Sequence, residues 1–133
     1  LIDEDDHKKW TGSKNALILE NLQMVKRSVQ AANGQKQLWI RTPLIPGATA
    51  IKENIQGIGS YLHENVNGSV TRWELCAFNN LCRDKYERLD MEWRFAETEL
   101  MTKEDLAQIE EWARASGFDP QRVLVTGAAR VEN

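Results

Sequence analysis

The sequence has 133 residues, 41% of them hydrophobic and 28% charged, with a formal net charge of -3 at pH 7. That length fits one domain able to bury a core of its own, and the acidic balance argues against a nucleic-acid surface. No apolar run approaches the about 18 residues that a membrane helix needs, and no signal-peptide pattern opens the chain. The opening Leu1-Ile2-Asp3-Glu4-Asp5-Asp6 reads as a cut through a longer protein, with the acidic cluster as a solvated turn rather than a metal site. Residues 15–32 predict a helix: Ile18, Leu22, Val25 and Val29 recur at steps of four, three and four and form one apolar face. Ser13 or Asn15 can cap its start and Asn33-Gly34 can end it.

Residues 37–44 predict a strand, apolar on both faces as in a buried parallel sheet, and Pro43, Pro46 and Gly47 force a loop. A second helix is expected over 49–64, with Ile51, Ile55, Ile58 and Leu62 on its apolar face. Asn67-Gly68 is a turn, and 70–78 predict a second strand. Residues 79–99 lack periodicity; a loop of that length in a compact domain is functional or disordered, and Tyr86, Leu89, Trp93 and Phe95 favour order. Thr102 with Asp105 opens a helix over 102–117 in capping-box fashion, with Leu106, Ile109 and Ala113 on its core side. Val123-Leu124-Val125 closes the chain as a short strand. Strands alternating with helices indicate βαβ units and a parallel sheet. The strands are too few to close a barrel, so unpaired edges are expected, and with them a homodimer or a larger chain.

In β/α folds the working residues stand at the carboxyl ends of strands and in the loops that follow. That rule selects Arg41 and Thr42 after the first strand and Asn79 and Asn80 after the second. Arg41 has two readings: a partner for a structural carboxylate such as Glu74, or a planar fork for a ligand carboxylate or phosphate. Asn79-Asn80 is either a turn or a ligand contact. Cys76 reads as core, His7 as solvated and His63 as a polar-face residue without a role. The five tryptophans are scattered and read as core. Cys76 and Cys82 read as free thiols, and no metal motif, nucleophile set or phosphate loop is visible.

The residues say more than their periodicity. His7-Lys8-Lys9-Trp10-Thr11-Gly12 and the following Asn15 to Leu22 resemble the segment after the Asp-x-Lys strand in activators of glycyl radical enzymes. Leu38-Trp39-Ile40-Arg41-Thr42-Pro43-Leu44-Ile45-Pro46-Gly47 is similar to that family's Trp-Ile-Arg-x-x-x-x-Pro-Gly strand. Glu74-Leu75-Cys76-Ala77-Phe78-Asn79 resembles its Glu-Leu-Leu-Pro-Tyr-His, and Lys85-Tyr86-Glu87-Arg88-Leu89 its Lys-Tyr/Trp-Glu-x-Leu-Gly. The order and spacing of these motifs carry the resemblance through nearly the whole chain.

The resemblance implies that residues 1–133 are the C-terminal part of a radical S-adenosylmethionine activating enzyme, an α/β fragment of an incomplete parallel β/α (TIM-like) barrel. In the family, S-adenosylmethionine lies against a [4Fe–4S] cluster, and its 5′-deoxyadenosyl radical takes hydrogen from a backbone glycine of the partner glycyl radical enzyme. The cofactor carries the chemistry and the protein positions it. Arg41 takes the position of the family's strand arginine, near S-adenosylmethionine and the substrate peptide. Asn79 takes that of the histidine contacting S-adenosylmethionine, keeping a donor but losing a titratable group. A cytoplasmic setting is implied too, with no nucleic-acid or membrane partner. The family's Cys-x-x-x-Cys-x-x-Cys and Gly-Gly-Glu-Pro segments are absent from this sequence. No catalytic residue, no metal ligand and no cluster are therefore expected in the fragment itself, and it is expected to be inactive alone. The alternative is a stand-alone, non-catalytic α/β interaction module.

Overall fold

A computed structural model describes residues 1–130. Helix α1 spans Glu4–Thr11, α2 Ala16–Ala31, strand β1 Leu38–Leu44, α3 Lys52–Val66, β2 Val70–Ala77, α4 Arg83–Arg88, α5 Lys103–Arg114, and β3 Val123–Thr126 after a 3-10 turn at Pro120–Arg122. The three strands form a parallel sheet in the order β1-β2-β3. α3 carries the chain from β1 to β2, and α5 lies between β2 and β3 in sequence, as expected for βαβ units. The α/β class and the parallel sheet agree with the sequence reading.

Side chains alternate across a strand, so paired parallel positions share a face. The row Ile40–Trp73–Val123 and the row Thr42–Leu75–Val125 lie on one face, with Leu44 paired to Ala77 beyond them. That face is covered by α3 and α5. Leu44, Ile55, Leu62, Val66, Trp73, Leu75, Ile109, Ala113 and Phe118 form one buried cluster, and Trp73 meets Phe118 edge to face at 5.8 Å. Gly59 on α3 allows this close packing. A Cβ there would stand 1.8 Å from Ser116 Oγ and 3.0 Å from the Trp73 ring.

α1 was not expected. Asp3 caps it by accepting from the Asp5 and Asp6 amides, Glu4 to Asp6 fill its first turn, Lys8 and Lys9 its last, and Gly12 closes it at φ 83°. Acidic residues at the positive end and basic residues at the negative end favour a helix where the acidic cluster had suggested a solvated turn. α2 forms where periodicity placed it and ends at Asn33 and Gly34, both at positive φ. Its apolar face, however, is not buried. Ile18 and Val25 are exposed, as are Leu17 and Met24. Asn15 does not cap α2 with its side chain; its Nδ2 donates to the carbonyls of Leu1 and Ile2 at 3.2 and 2.7 Å. The capping box of α5 is present, with Thr102 N donating to Asp105 Oδ2 at 2.9 Å and Asp105 N to Thr102 Oγ1 at 3.0 Å.

Segment 79–99 holds α4 and a series of turns, and aromatic rings order it. Tyr86 stacks on Trp93 at 5.7 Å, Trp93 on Phe78 at 6.0 Å, Phe78 meets Phe95 at 6.3 Å, and Phe95 stacks on Trp10 of α1 at 5.9 Å. Such pairs add about 0.5–1.5 kcal/mol each beyond their burial. Leu89 takes no part, being exposed.

Candidate functional site

The second face of the sheet carries no helix-packed core, and its residues are chemically unlike those of the first. Trp39 pairs with Arg72, Arg41 with Glu74 and Leu124, and Pro43 with Cys76 and Thr126. Trp39, Arg41, Pro43 and Leu124 are exposed, and Cys76 is half-buried. β1 was expected to be buried on both faces. Only its Thr42 and Leu44 are, because the open face of an edge strand has no layer over it.

Arg41 and Glu74 meet on this open face because the parallel register sets them side by side. Arg41 Nε lies 2.9 Å from Glu74 Oε2, with the arginine side chain 65% exposed and the glutamate side chain 10% exposed. The Glu74 charge first, and Cys76 next, hold the guanidinium more firmly protonated than an ordinary arginine. A buried carboxylate needs a partner, and Arg41 supplies it. Beside this pair the Arg72 guanidinium lies 4.1 Å from the centre of the Trp39 ring, a cation–π contact on the same face.

The remaining candidates divide. Thr42 lies inside β1, not after it, and faces the core, where its Oγ1 accepts from Trp73 Nε1 at 3.0 Å. It is a packing residue because the alternation turns it away from Arg41. Asn79 lies just beyond β2, exposed, and its Oδ1 accepts from the Leu81 amide at 3.2 Å, so it shapes a turn while its Nδ2 donors stay available. No hydrogen bond among the described residues joins Arg41 to Asn79. Cys76 is not a core residue; its place beside Glu74 on β2 puts it on the open face. His7 is not simply solvated, since its Nδ1 donates to the Ser13 carbonyl at 2.6 Å. His63 is exposed, as expected.

The tryptophans were read together as core, and only Trp73 is fully buried. Trp10 and Trp93 belong to the aromatic row, and Arg94 lies 4.9 Å and Lys9 5.5 Å from the Trp10 ring. Trp112 lines a cavity of about 480 Å³ with Pro46, Ala50, Leu100, Met101 and Ile109. That cavity contains no open-face strand residue, so its size does not make it the site. The Arg41–Glu74 pair lies on the other face of the sheet, and the cavity has an ion pair of its own, Arg130 with Glu99.

Among the described residues no group of three or more His, Cys, Asp or Glu side chains is arranged to hold a metal, and no helix is long and apolar enough to cross a membrane. The whole sequence contains two cysteines, so this donor set does not fit a cluster held by three thiolates.

No protein-family model matches the chain. Curated proteins do. The trans-4-hydroxy-L-proline dehydratase activating enzyme of Clostridioides difficile is 29% identical over 119 residues, which are 90% of this chain and 37% of that protein. The indoleacetate decarboxylase activating enzyme of Tractidigestivibacter scatoligenes is 34% identical over 89 residues, 67% of this chain and 26% of that protein. The pyruvate formate-lyase-activating enzyme of Clostridium pasteurianum is 27% identical over 113 residues, 85% of this chain and 44% of that protein. The matched segment thus spans about a quarter to less than half of the length of these relatives. Over most of its own length the chain matches the activating enzymes of glycyl radical enzymes, and it is a relative of that family.

Proposed function

We propose that this chain forms part of a radical S-adenosylmethionine activating enzyme, serving as the C-terminal wall of an incomplete parallel β/α barrel. The open sheet face is the inner wall, and β1 and β3 are the edges along which further strands, or a second copy of the chain, add. The partner is a glycyl radical enzyme, as the names of the relatives suggest. When bound, S-adenosylmethionine with a [4Fe–4S] cluster supplies the one-electron chemistry. The cluster ligands come from outside this sequence, so the chain by itself is inactive.

The pair with Glu74 meets the structural reading of Arg41; the observation that supports a ligand role beside it is that the Arg41 side chain stays 65% exposed on the helix-free face, on the two strands whose sequences resemble the family's. Arg41 offers a charged, exposed fork suited to a carboxylate. S-adenosylmethionine bears one, and so does an acidic peptide. Asn79 offers its amide donors just past the end of β2. The fit is of donor chemistry, with Arg41 binding and orienting and Asn79 contributing a neutral donor.

Calorimetric titration with S-adenosylmethionine, on a sample sized by light scattering, tests the reading. Arg41→Ala is expected to weaken binding about tenfold or more, and Asn79→Ala by less, as loss of a charged bond exceeds loss of a neutral one. Absence of binding, or binding indifferent to Arg41→Ala, removes Arg41 from the cofactor site. Incubation with iron and sulfide is expected to leave the chain without cluster absorbance; a formed cluster refutes the assignment of its ligands elsewhere.

A further inference from the structure

Helix α2 is held to the molecule by one side and presents apolar residues on the other. Leu19, Leu22, Gln23, Lys26 and Val29 are half-buried, and Leu22 packs against the core. Gln23 Nε2 donates to Tyr61 Oη at 3.4 Å and Lys26 Nζ to the Asn65 carbonyl at 2.7 Å, which ties this side to α3. The opposite side carries Leu17, Ile18, Met24 and Val25, which are 44–65% exposed. α2 packs on α3 and α3 on α5, so α2 is the outermost helix of its layer, and no described element covers that side. Single exposed apolar residues are ordinary, but four on one helical face form a patch of the kind that marks a contact surface.

The pattern on that side complements its own reverse. Leu17, Asn21, Met24 and Ser28 are all exposed and recur at steps of four, three and four, the spacing of a seam between paired helices. Ile18 and Val25 flank the seam on one side, and the exposed Glu20 and Arg27 flank it on the other. Glu20 and Arg27 are two turns apart, too far to meet within one helix, where neighbours are three or four residues away. In an antiparallel pair of such helices each flank faces its own copy. One register then sets Leu17 against the second copy's Ser28, Asn21 against its Met24, Ile18 against its Val25 and Glu20 against its Arg27. A two-fold axis repeats every one of these contacts. A parallel pair in register would face Glu20 with Val25 and leave both charges unanswered.

We propose that this face of α2 is a self-association surface, through which two copies of the chain pair antiparallel about a two-fold axis. Leu17, Ile18, Met24 and Val25 are buried between the copies, and Glu20 of each lies against Arg27 of the other. The charge order selects a second copy over an unrelated apolar partner, because the same sequence reversed answers both charges. The surface lies on the helix-covered side of the sheet, so it is independent of what the open face binds.

Sedimentation equilibrium on the 133-residue chain tests this, with circular dichroism to check that each variant keeps its fold. The native chain is expected to dimerise reversibly. Leu17→Glu and Met24→Glu place a charge in the seam, and each is expected to weaken the dimer about tenfold or more. Glu20→Arg and Arg27→Glu set like charges together, and each is expected to weaken it about threefold or more. The double variant Glu20→Arg with Arg27→Glu restores opposite charges and is expected to return to within about twofold of the native constant. Should a glutamate in the seam unfold the chain, the charge series decides.

A native chain that stays monomeric at millimolar concentration would overturn the proposal and leave the face to another partner. So would a dimer indifferent to Leu17→Glu and Met24→Glu, which would be joined through the β1 or β3 edge instead. A double variant that dimerises no better than either single one would overturn the antiparallel pairing.

Discussion

The two faces of the sheet come from the same three strands and differ in almost every physical property. On one face Trp73, Leu75 and Leu44 are fully buried under α3 and α5, and the polar group present, Thr42, has its hydrogen bond. On the other, Arg41 and Trp39 are exposed, Glu74 is buried only with a cation against it, and Arg72 lies over an indole. The first face is packed for stability. The second keeps charge at a surface where a ligand or further chain can reach it. Alternation along a strand produces both at once, so a residue's neighbour in sequence belongs to the opposite environment.

Substitutions that break this contrast are expected to act in decreasing order from the packed face to the open one. Trp73→Ala empties the centre of the core and is expected to destabilise by about 3–5 kcal/mol in chemical denaturation. A loss below about 1 kcal/mol would show that the packed face is not the source of stability. Thr42→Val keeps the shape but leaves Trp73 Nε1 without its acceptor. The expected cost is about 1–3 kcal/mol, the penalty of an unsatisfied buried donor. Thr42→Ser, which restores the hydroxyl, is expected to recover part of it.

Smaller effects belong to the periphery. Thr102→Ala removes the α5 cap and is expected to cost about 1 kcal/mol. The Thr102 amide, and next its hydroxyl, hold the Asp105 carboxyl below its ordinary value. The folded value is the depressed one, so this stabilisation is present above the unfolded carboxyl value near about 4 and is lost as pH falls through the folded value. Denaturation midpoints measured across acid pH are expected to fall less steeply in Asp105→Asn than in the native chain; equal slopes would deny Asp105 the role. Trp39→Ala on the open face removes the contact with Arg72 and an exposed hydrogen bond from Trp39 Nε1 to Gln37 Oε1, and is expected to change stability by less than about 1 kcal/mol. A larger loss, accompanied by a change of oligomeric state in light scattering, would mean that the open face is covered in solution.

Periodic segments were legible because their spacing is a local property. The helices α2, α3 and α5 and the three strands form near the positions their patterns indicate, and the Thr102–Asp105 box closes as its spacing requires. α1 has local signals too, in Asp3, the acidic first turn, the basic last turn and Gly12, but it lacks the apolar stripe that marks the other helices. The aromatic row was legible in part: Tyr86, Trp93 and Phe95 mark 79–99 as ordered. That Trp10 joins them had no signal, because it lies far from them in the chain and its contact with Phe95 depends on where α1 returns.

By itself, then, the amino-acid order determined the alternation of helix and strand, the parallel sheet, the capping box of α5 and the resemblance to the activating enzymes, since each depends on residues within a few positions or on motif order. Tertiary structure alone decided which face of each strand is covered. It turned Thr42 into the core and Arg41 out of it, brought Cys76 to the open face, left Ile18 and Val25 of α2 exposed, and set Arg41 against Glu74 across 33 residues of chain. Register between strands is fixed by the packing of the whole layer, and no spacing within either strand encodes it.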